Sequence, residues 1–193
     1  MKDKLKQFRQ DCLQQNYPIM QDSALDFLIE QIPQNARVLE LGSCVGYSSI
    51  YLALHRSDIT ITSIERDFER HIQARENTLL FQCANRITMI YDDALNYVPN
   101  SHYQVIIFDA AKGQNQAFFD RYYPYLEKQG KIIIDNMDFH GFKDKINASM
   151  GRNLKSMMHK LKDFEEFIYQ LDYLSVQYYK IADGILVIEN KYE

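Results

Sequence analysis

The stretch that decides the fold covers residues 40–48 and reads E-L-G-S-C-V-G-Y-S. A short apolar run precedes it at residues 37–40 and a helical pattern follows over about residues 48–54, which predicts a glycine turn between a strand and a helix. Gly42 and Gly46 let the backbone approach a ligand closely, and the start of the helix offers free N–H groups. The spacing lacks the Gly-Lys-Ser/Thr ending of a P-loop and the G-x-G-x-x-G of a dinucleotide site. The turn therefore suits a carboxylate and a nucleoside without a pyrophosphate.

Outward from this turn, short apolar runs alternate with longer helical patterns. Five runs are predicted as strands, at residues 37–40, 59–64, 86–91, 103–108 and 131–134. Helices are predicted over about residues 48–54, 68–83 and 116–126, with a further helical pattern from about residue 152. Two later runs at residues 174–179 and 185–189 flank an Asp-Gly turn, which is typical of an antiparallel hairpin. We therefore predict an α/β protein with five parallel strands, a C-terminal antiparallel hairpin and helices on both faces of the sheet.

Length and composition limit the classes of protein to which the chain can belong. Its 193 residues fit a single domain over residues 1–193. No stretch approaches the roughly 20 apolar residues of a membrane span, and the charged start of the chain lacks the apolar run of a secretion signal. The three cysteines lack metal-ligand spacing and are more typical of free thiols than of a disulfide framework. We expect a cytoplasmic protein without a membrane partner.

The charge of the chain is unevenly distributed. The formal net charge is −4, which argues against a general affinity for nucleic acid. Residues 141–162 nevertheless contain one acid and six bases, namely Lys143, Lys145, Arg152, Lys155, Lys160 and Lys162. Such a basic stretch on an acidic protein can steer an anionic partner, or it can be an ordinary solvated helix face. Both interpretations stay open.

Acidic residues follow every predicted parallel strand. Four strands end in Glu40, Glu65, Asp109 and Asp135, and the remaining one is followed by Asp92 and Asp93. A single acid there is usually a cap, but five in register favour a polar site, because ligands of open α/β sheets bind at the carboxyl ends of the strands. A carboxylate at the position of Glu65 can accept hydrogen bonds from both hydroxyls of a ribose.

A cluster of hard oxygen donors is expected at the ends of the fourth and fifth strands. The carboxylates of Asp109 and Asp135 and the amide of Asn136 suit Mg²⁺ or a similar octahedral cation. Lys112 lies three residues after Asp109, and a lysine in a closed pocket beside a metal can act as a base. The alternative is a surface lysine and a capping Asp-Asn turn.

The motifs on these predicted loops together resemble a known family. They are E-L-G-S-C-V-G-Y-S at 40–48, I-E-R-D at 64–67, D-D-A at 92–94, F-D-A-A-K-G-Q at 108–114 and D-N-x-x-F-x-G at 135–141. Over roughly residues 17–189 the chain is similar to the cation-dependent O-methyltransferases related to catechol and caffeoyl-CoA O-methyltransferases. Within that family it looks most like the bacterial tRNA 5-hydroxyuridine methyltransferases, on the basis of Y-P-I-M at 17–20 and of Phe118-Phe119 after the lysine motif.

The resemblance implies a class I methyltransferase with a Rossmann-like sheet that uses S-adenosylmethionine and a divalent cation, Mg²⁺ or Mn²⁺. It implies that the methionine end of the cofactor is bound by Glu40, Gly42, Tyr47 and Ser48. Glu65 would hold the ribose, Asp93 and Ala94 would lie by the adenine, and Asp109 would also contact the cofactor. The cation would be held by Asp109, Asp135 and Asn136. The catalytic residues would be Asp109 and Lys112, the latter as general base.

The acceptor implied by this branch is 5-hydroxyuridine in the anticodon loop of tRNA, which would become 5-methoxyuridine. The basic stretch at 141–162 would contact backbone phosphates. Tyr17, Phe139 and His140 would stack on or close over the base, unless they belong to the core. The resemblance also implies a homodimer, and residues 1–35 are expected to form a helical segment that covers the substrate.

Alternatives and departures remain. A small catechol-like or otherwise hydroxylated metabolite is favoured as the acceptor by the negative net charge. A non-catalytic binding module of the same fold would be expected to have lost Lys112 or a metal ligand, and a nicotinamide oxidoreductase is disfavoured by the glycine spacing. Asp92 stands where the family often has glycine and could crowd the adenine pocket. Asp138 and His140 also depart from the usual pattern of the substrate loop.

Overall fold

The computed structural model describes residues 2–138 and 151–191. Its strands are β1 (Arg37–Leu41), β2 (Thr60–Glu65), β3 (Ile87–Tyr91), β4 (Tyr103–Phe108), β5 (Leu126–Ile134), β6 (Leu174–Tyr179) and β7 (Ile185–Asn190). They form a seven-stranded sheet in the order β3-β2-β1-β4-β5-β7-β6. Strands β1 to β5 pair in parallel, whereas β7 is antiparallel to both β5 and β6. The predicted fold of five parallel strands and a C-terminal antiparallel hairpin is confirmed.

Helices cover both faces of this sheet. In the described residues they are α1 (Lys2–Gln14), α2 (Asp22–Gln31), α3 (Tyr47–His55), α4 (Phe68–Leu80), α5 (Asn115–Tyr122) and α6 (Arg152–Tyr169). Side chains along β1 alternate between two cores. Val38 packs with α2 and α3, whereas Leu39 and Leu41 pack with α5 and α6. Burial on both faces explains why the parallel strands are nearly continuous in apolar residues.

Two predicted helix ends are wrong. Helix α5 ends at Tyr122 rather than at residue 126, because Pro124 lacks an N–H and the chain passes through a 3-10 turn before β5 begins at Leu126. Helix α4 ends at Leu80 rather than at residue 83, and the chain then turns through Gln82, whose φ of 57° is left-handed. Both helix ends are determined by turns, and the spacing of apolar residues does not predict such turns.

The N-terminal helices lie against the glycine turn and the strand ends. The ring of Phe8 in α1 is 5.7 Å from the ring of Tyr47 and 5.3 Å from that of Phe81, measured between centroids. The chain between α1 and α2 then reaches the carboxyl ends of the strands, where Gln21 Nε2 donates to Asp183 Oδ2 at 3.2 Å. Across the described ranges, no helix is both long and apolar enough to cross a lipid bilayer.

Candidate active site

The loop after β1 approaches the end of β4 so closely that only glycine fits. Gly42 has a φ of 94°, and a Cβ at this position would lie 2.5 Å from the carbonyl oxygen of Asp109. Gly46, just before α3, has a φ of 85°, and a Cβ there would lie 3.1 Å from Met89 Cε. A Cβ at position 42 would therefore overlap rigid backbone, whereas the Cβ at position 46 would make milder close contacts, with Met89 Cε and, at 3.3 Å, with Ala74 Cβ. Of these two glycines, Gly42 is the one at which a side chain is expected to be more disruptive.

Glu65 holds the same loop from the end of β2. Its Oε2 accepts the N–H of Cys44 at 2.8 Å, and its Oε1 accepts the N–H of Asp67 at 2.8 Å. The residue is buried, yet it lines the cavity at the strand ends. Because each carboxylate oxygen can accept more than one hydrogen bond, Glu65 is anchored by the backbone and can still accept from ribose hydroxyls.

Glu40 lies behind the loop and is fully buried. Its carboxylate accepts hydrogen bonds from three hydroxyls, those of Ser48, Ser49 and Ser63. Burial raises the pKa of Glu40, and the three hydroxyl donors oppose that rise. The carboxylate therefore ties β1, β2 and the first turn of α3 together.

Tyr47 and Ser48 also point away from the cavity. The hydroxyl of Tyr47 donates to Asp22 Oδ1 at 2.9 Å, and that of Ser48 donates to Glu40. Among the residues predicted to bind the methionine end of a cofactor, Gly42 lines the cavity, and Glu40, Tyr47 and Ser48 support the loop from behind. Direct cofactor contact by these three residues stays a prediction.

The turn after β3 forms the side of the cavity at which adenine was predicted to lie. Asp93 and Ala94 both line the cavity. Asp93 Oδ1 accepts the N–H of Leu95 at 2.8 Å, and Asp92 Oδ1 accepts the N–H of Asp93 at 2.8 Å. The carboxylate of Asp92 is thus turned onto the backbone, and Asp92 is not among the residues that line the cavity. The extra carboxylate caps the turn.

Asp109 and Asp135 come together because Phe108 and Ile134, which precede them, are partners in the parallel register of β4 and β5. Lys112 Nζ lies 2.9 Å from Asp109 Oδ1, with both side chains largely buried. Burial raises the pKa of Asp135 to about 7, and the negative charge of Asp109 adds to that rise while Lys112 opposes it. The register therefore concentrates two carboxylates and a lysine at one point.

These residues fit a divalent cation. Asp135 Oδ1 is buried and has no hydrogen-bond partner among the described residues, which is costly for a carboxylate oxygen unless a cation or another donor satisfies it. The neighbouring Asn136 lines the cavity and has a left-handed φ of 60°. Within residues 2–138 and 151–191, no group of three or more His, Cys, Asp and Glu side chains is placed to hold a metal. A cation would therefore use the amide of Asn136 with the two carboxylates, as oxygen ligands suited to Mg²⁺ or Mn²⁺.

One cavity of about 500 Å³ lies at the carboxyl ends of the strands, and the predicted site residues that line it are Gly42, Glu65, Asp93, Ala94, Asp109, Lys112 and Asn136. That volume is within the range of pockets for small molecules and cofactors. Its wall includes residues that the strand-end pattern does not identify, namely Pro18, Ile19, Met20, Gln21, Cys44, Arg70, Gln114, Phe118 and Asp183. Pro18, Ile19 and Met20 belong to the Y-P-I-M motif, so the sequence contains a signal for them. For Asp183 the Asp-Gly pair predicted a hairpin turn but not a position in the cavity wall.

Among the described residues that were predicted to contact the acceptor base, Tyr17 is not in this wall. Tyr17 donates from its hydroxyl to Gln73 Oε1 at 2.8 Å and packs against Cys12, Cys44 and Val45. Phe139, His140, Lys143 and Lys145 lie outside the described residues. Asp138 accepts a hydrogen bond from the hydroxyl of Tyr178. The described part of the basic stretch lies on α6.

Comparison with known proteins identifies the family to which this site belongs. A family model described as O-methyltransferase matches residues 1–191. The chain belongs to the O-methyltransferase family. This membership rules out the alternative of a nicotinamide oxidoreductase. It also assigns to an O-methyltransferase-family chain the strand-end acids, the glycine turn and the lysine after β4.

Solved structures of similar proteins agree with this family. A Staphylococcus aureus protein, provisionally assigned as a caffeoyl-CoA O-methyltransferase, is 30% identical, with a TM-score of 0.90 over 97% of this chain and 92% of that one. An O-methyltransferase from Bacillus cereus, solved in complex with S-adenosylhomocysteine, is 22% identical, with a TM-score of 0.81 over 97% of this chain and 90% of that one.

A curated relative matches a shorter region. The O-methyltransferase imqG of Aspergillus flavus is 28% identical over 109 residues, which cover 51% of this chain and 44% of that protein. The matched region thus spans under half the length of this relative.

Proposed function

We propose that this chain transfers a methyl group from S-adenosylmethionine to a hydroxyl oxygen with the help of a divalent cation. We further propose that the acceptor is 5-hydroxyuridine in the anticodon loop of tRNA, which becomes 5-methoxyuridine. The observation that carries the reaction type is the arrangement of Lys112, 2.9 Å from Asp109, beside the buried and unpartnered oxygen of Asp135. Lys112 and Asp109 line the same cavity as Glu65, which supports a nucleoside cofactor at one end and an acceptor hydroxyl at the other.

The residues of the chain divide the reaction between binding and proton transfer. Glu65 accepts hydrogen bonds from the ribose, while the loop at Gly42 brings backbone close to the methionine part of the methyl donor. In its neutral form Lys112 takes the proton of the acceptor hydroxyl at Nζ. S-adenosylmethionine supplies an electrophilic methyl group on its sulfonium. Because the cofactor and the acceptor would bind at two ends of one cavity, the acceptor oxygen would be aligned with that methyl group.

A cation held by Asp109, Asp135 and Asn136 would lower the pKa of an acceptor hydroxyl that has a second oxygen beside it. A catechol offers two hydroxyls of this kind. In 5-hydroxyuridine the pair consists of the C5 hydroxyl and the O4 carbonyl. The same ligand set therefore suits either acceptor, and the choice between them depends on the surroundings of the site.

Helix α6 supports the tRNA acceptor. Within the described residues it carries Arg152, Lys155, Lys160 and Lys162. The side chain of Lys160 lies beside Gly113, because a Cβ on that glycine would be 3.5 Å from Lys160 Cδ. The part of α6 that carries these four bases is thus packed against the turn that carries Lys112. Phosphates bound on α6 would therefore flank a base inserted into the cavity, since such contacts position a nucleic acid without reading its sequence.

A small catechol-like acceptor is the second candidate. The 30% identical Staphylococcus aureus relative is provisionally assigned to caffeoyl-CoA, a phenolic acceptor, and the net charge of −4 does not favour nucleic acid in general. A non-catalytic role is less well supported, because Lys112, Asp109 and Asp135 are all present.

Nucleoside mass spectrometry of tRNA from cells that lack the protein tests the proposed acceptor. Loss of 5-methoxyuridine with accumulation of 5-hydroxyuridine is the expected result. Purified protein should also methylate the deficient tRNA in vitro more efficiently than a panel of catechols. An unchanged nucleoside profile together with efficient methylation of a catechol would contradict the tRNA proposal and leave the O-methyl transfer intact.

The assembly and the cellular location are separate proposals. We propose a homodimer in the cytoplasm, as the sequence leads us to expect. Light scattering on the purified protein and cell fractionation test these two statements.

A further inference from the structure

Asp183 lies in the turn between β6 and β7 and is brought beside the acceptor end of the cavity. The N–H of Met137 donates to the carbonyl of Gly184 at 2.9 Å, and the N–H of Asp138 donates to the carbonyl of Asp183 at 2.7 Å. These bonds hold the turn against the segment that follows Asn136. Asp183 and Asn136 both line the cavity. The turn therefore places a third carboxylate next to the proposed cation ligands.

The carboxylate of Asp183 is held across the cavity by the N-terminal loop. Its Oδ2 accepts a hydrogen bond from Gln21 Nε2 at 3.2 Å, and Gln21 also lines the cavity. A carboxylate has about four acceptor positions, so a side chain of this type can accept hydrogen bonds from more than one donor.

The two candidate acceptors differ in what they present beyond the chelating oxygens. In 5-hydroxyuridine the ring atom after the O4 carbonyl carbon is N3, which carries a hydrogen-bond donor. In a catechol the corresponding ring position carries a C–H group. A carboxylate beside the acceptor site accepts a strong hydrogen bond from an imide N–H. When a catechol binds instead, the same carboxylate loses part of its hydration and gains no hydrogen bond, because a C–H group faces it.

We infer that Asp183 is a specificity-determining residue that accepts a hydrogen bond from the N3–H of the acceptor base and so selects a uracil-type ring over a catechol. This inference rests on the proposed 5-hydroxyuridine acceptor and deepens it. Gln21 fixes the direction of the carboxylate. Lys112, Asp109 and Asp135 act on the hydroxyl itself and serve both acceptors alike.

The test compares methyl transfer to two acceptors by the wild-type protein and by Asp183→Ala. The acceptors are tRNA that carries 5-hydroxyuridine and free catechol, each assayed with S-adenosylmethionine and Mg²⁺. Asp183→Ala should lower kcat/KM for the tRNA about 10- to 100-fold, the effect of losing one hydrogen bond to a charged group. The value for catechol should stay within about threefold or rise, because hydrogen bonding to N3 plays no part in it.

Two further variants separate recognition from other effects. Gln21→Ala removes the bond across the cavity but keeps the carboxylate, so it should change the ratio of the two activities far less than Asp183→Ala. Asp172→Ala removes one exposed carboxylate outside the site and should leave both activities unchanged. Thermal unfolding and S-adenosylmethionine titration establish that each variant is folded.

The possible outcomes distinguish this inference from the proposed function. An equal fall for both acceptors in Asp183→Ala would overturn the inference alone and assign Asp183 to support of the cation site. The same change of ratio in Gln21→Ala would also overturn it, since closure of the cavity would then explain selectivity. A wild-type protein that methylates catechol but not the tRNA would overturn the proposed acceptor and the inference together.

Discussion

Replacing Gly42 by alanine perturbs the contact between the loop after β1 and the end of β4. The new Cβ would lie 2.5 Å from the carbonyl oxygen of Asp109 and 3.1 Å from Ala110 Cα, so backbone must move to admit it. The left-handed φ of 94° adds about 1–2 kcal/mol for a residue with a Cβ. Overpacking against rigid neighbours adds about 1–3 kcal/mol. We expect Gly42→Ala to lower the free energy of unfolding by about 2–5 kcal/mol.

Urea unfolding followed by circular dichroism measures this change, and Gly151→Ala is the matched control. Gly151 has a negative φ of −59°, and a Cβ there would meet no atom of the described residues within 4 Å. The control should change stability by less than about 1 kcal/mol, because a lost N-cap preference and a gain from reduced unfolded-state entropy oppose each other. If Gly42→Ala unfolds at the same urea concentration as the control, the close approach of the loop to β4 does not constrain this position.

Three other predictions concern the carboxylates and the lysine. Burial raises the pKa of Glu40, so the folded state keeps a proton that the unfolded chain releases as pH rises above about 4.5. Protonated Glu40 therefore stabilises the fold at low pH, and this stabilisation is lost as pH rises. The free energy of unfolding of Glu40→Gln relative to wild type, measured by urea titration, should increase with pH. A relative stability independent of pH would contradict the raised pKa. Lys112→Ala should lower kcat about 10²- to 10⁴-fold with little change in S-adenosylmethionine affinity, whereas the exposed Lys180→Ala should leave both unchanged; an unaltered kcat would exclude the base. Excess EDTA should abolish turnover and added Mg²⁺ should restore it, so full activity in EDTA would remove the cation from the proposal.

The strand ends could be predicted because they depend on local sequence. A β-strand shows its length and burial in its own residues, and in parallel strands the residues that follow meet at one edge of the sheet. Glu65, Asp93, Asp109 and Asn136 therefore line one cavity, as their positions after predicted strands suggested. Their contact with a cofactor or cation stays a prediction, because placement in a common wall does not identify what binds.

The remaining features depend on contacts between residues distant in sequence. Glu40 follows a strand as the other acids do, but it is turned inward by hydroxyls from α3 and from Ser63 on β2. Gln21, which precedes α2, and Asp183, which lies in the last hairpin, are hydrogen-bonded although they are 162 positions apart in the sequence. Apolar periodicity contains no information on such pairs. Only the assembled sheet shows which acids support the loop and which face the cavity.

The geometry around Asp109 links the two halves of the proposed reaction. Its backbone carbonyl is the surface against which Gly42 packs, and its N–H donates to the Leu41 carbonyl at 3.0 Å. Its carboxylate meanwhile pairs with Lys112 and acts on Asp135. A displacement of the loop at Gly42 would therefore also displace Asp109 and its partner Lys112. A displacement of Asp109 would in turn shift the loop. The effects on stability of a substitution in the loop at Gly42 and of one at Lys112 or Asp135 should for this reason be coupled in double-mutant cycles. The effects of substitutions in the Asp92 turn should be additive with both.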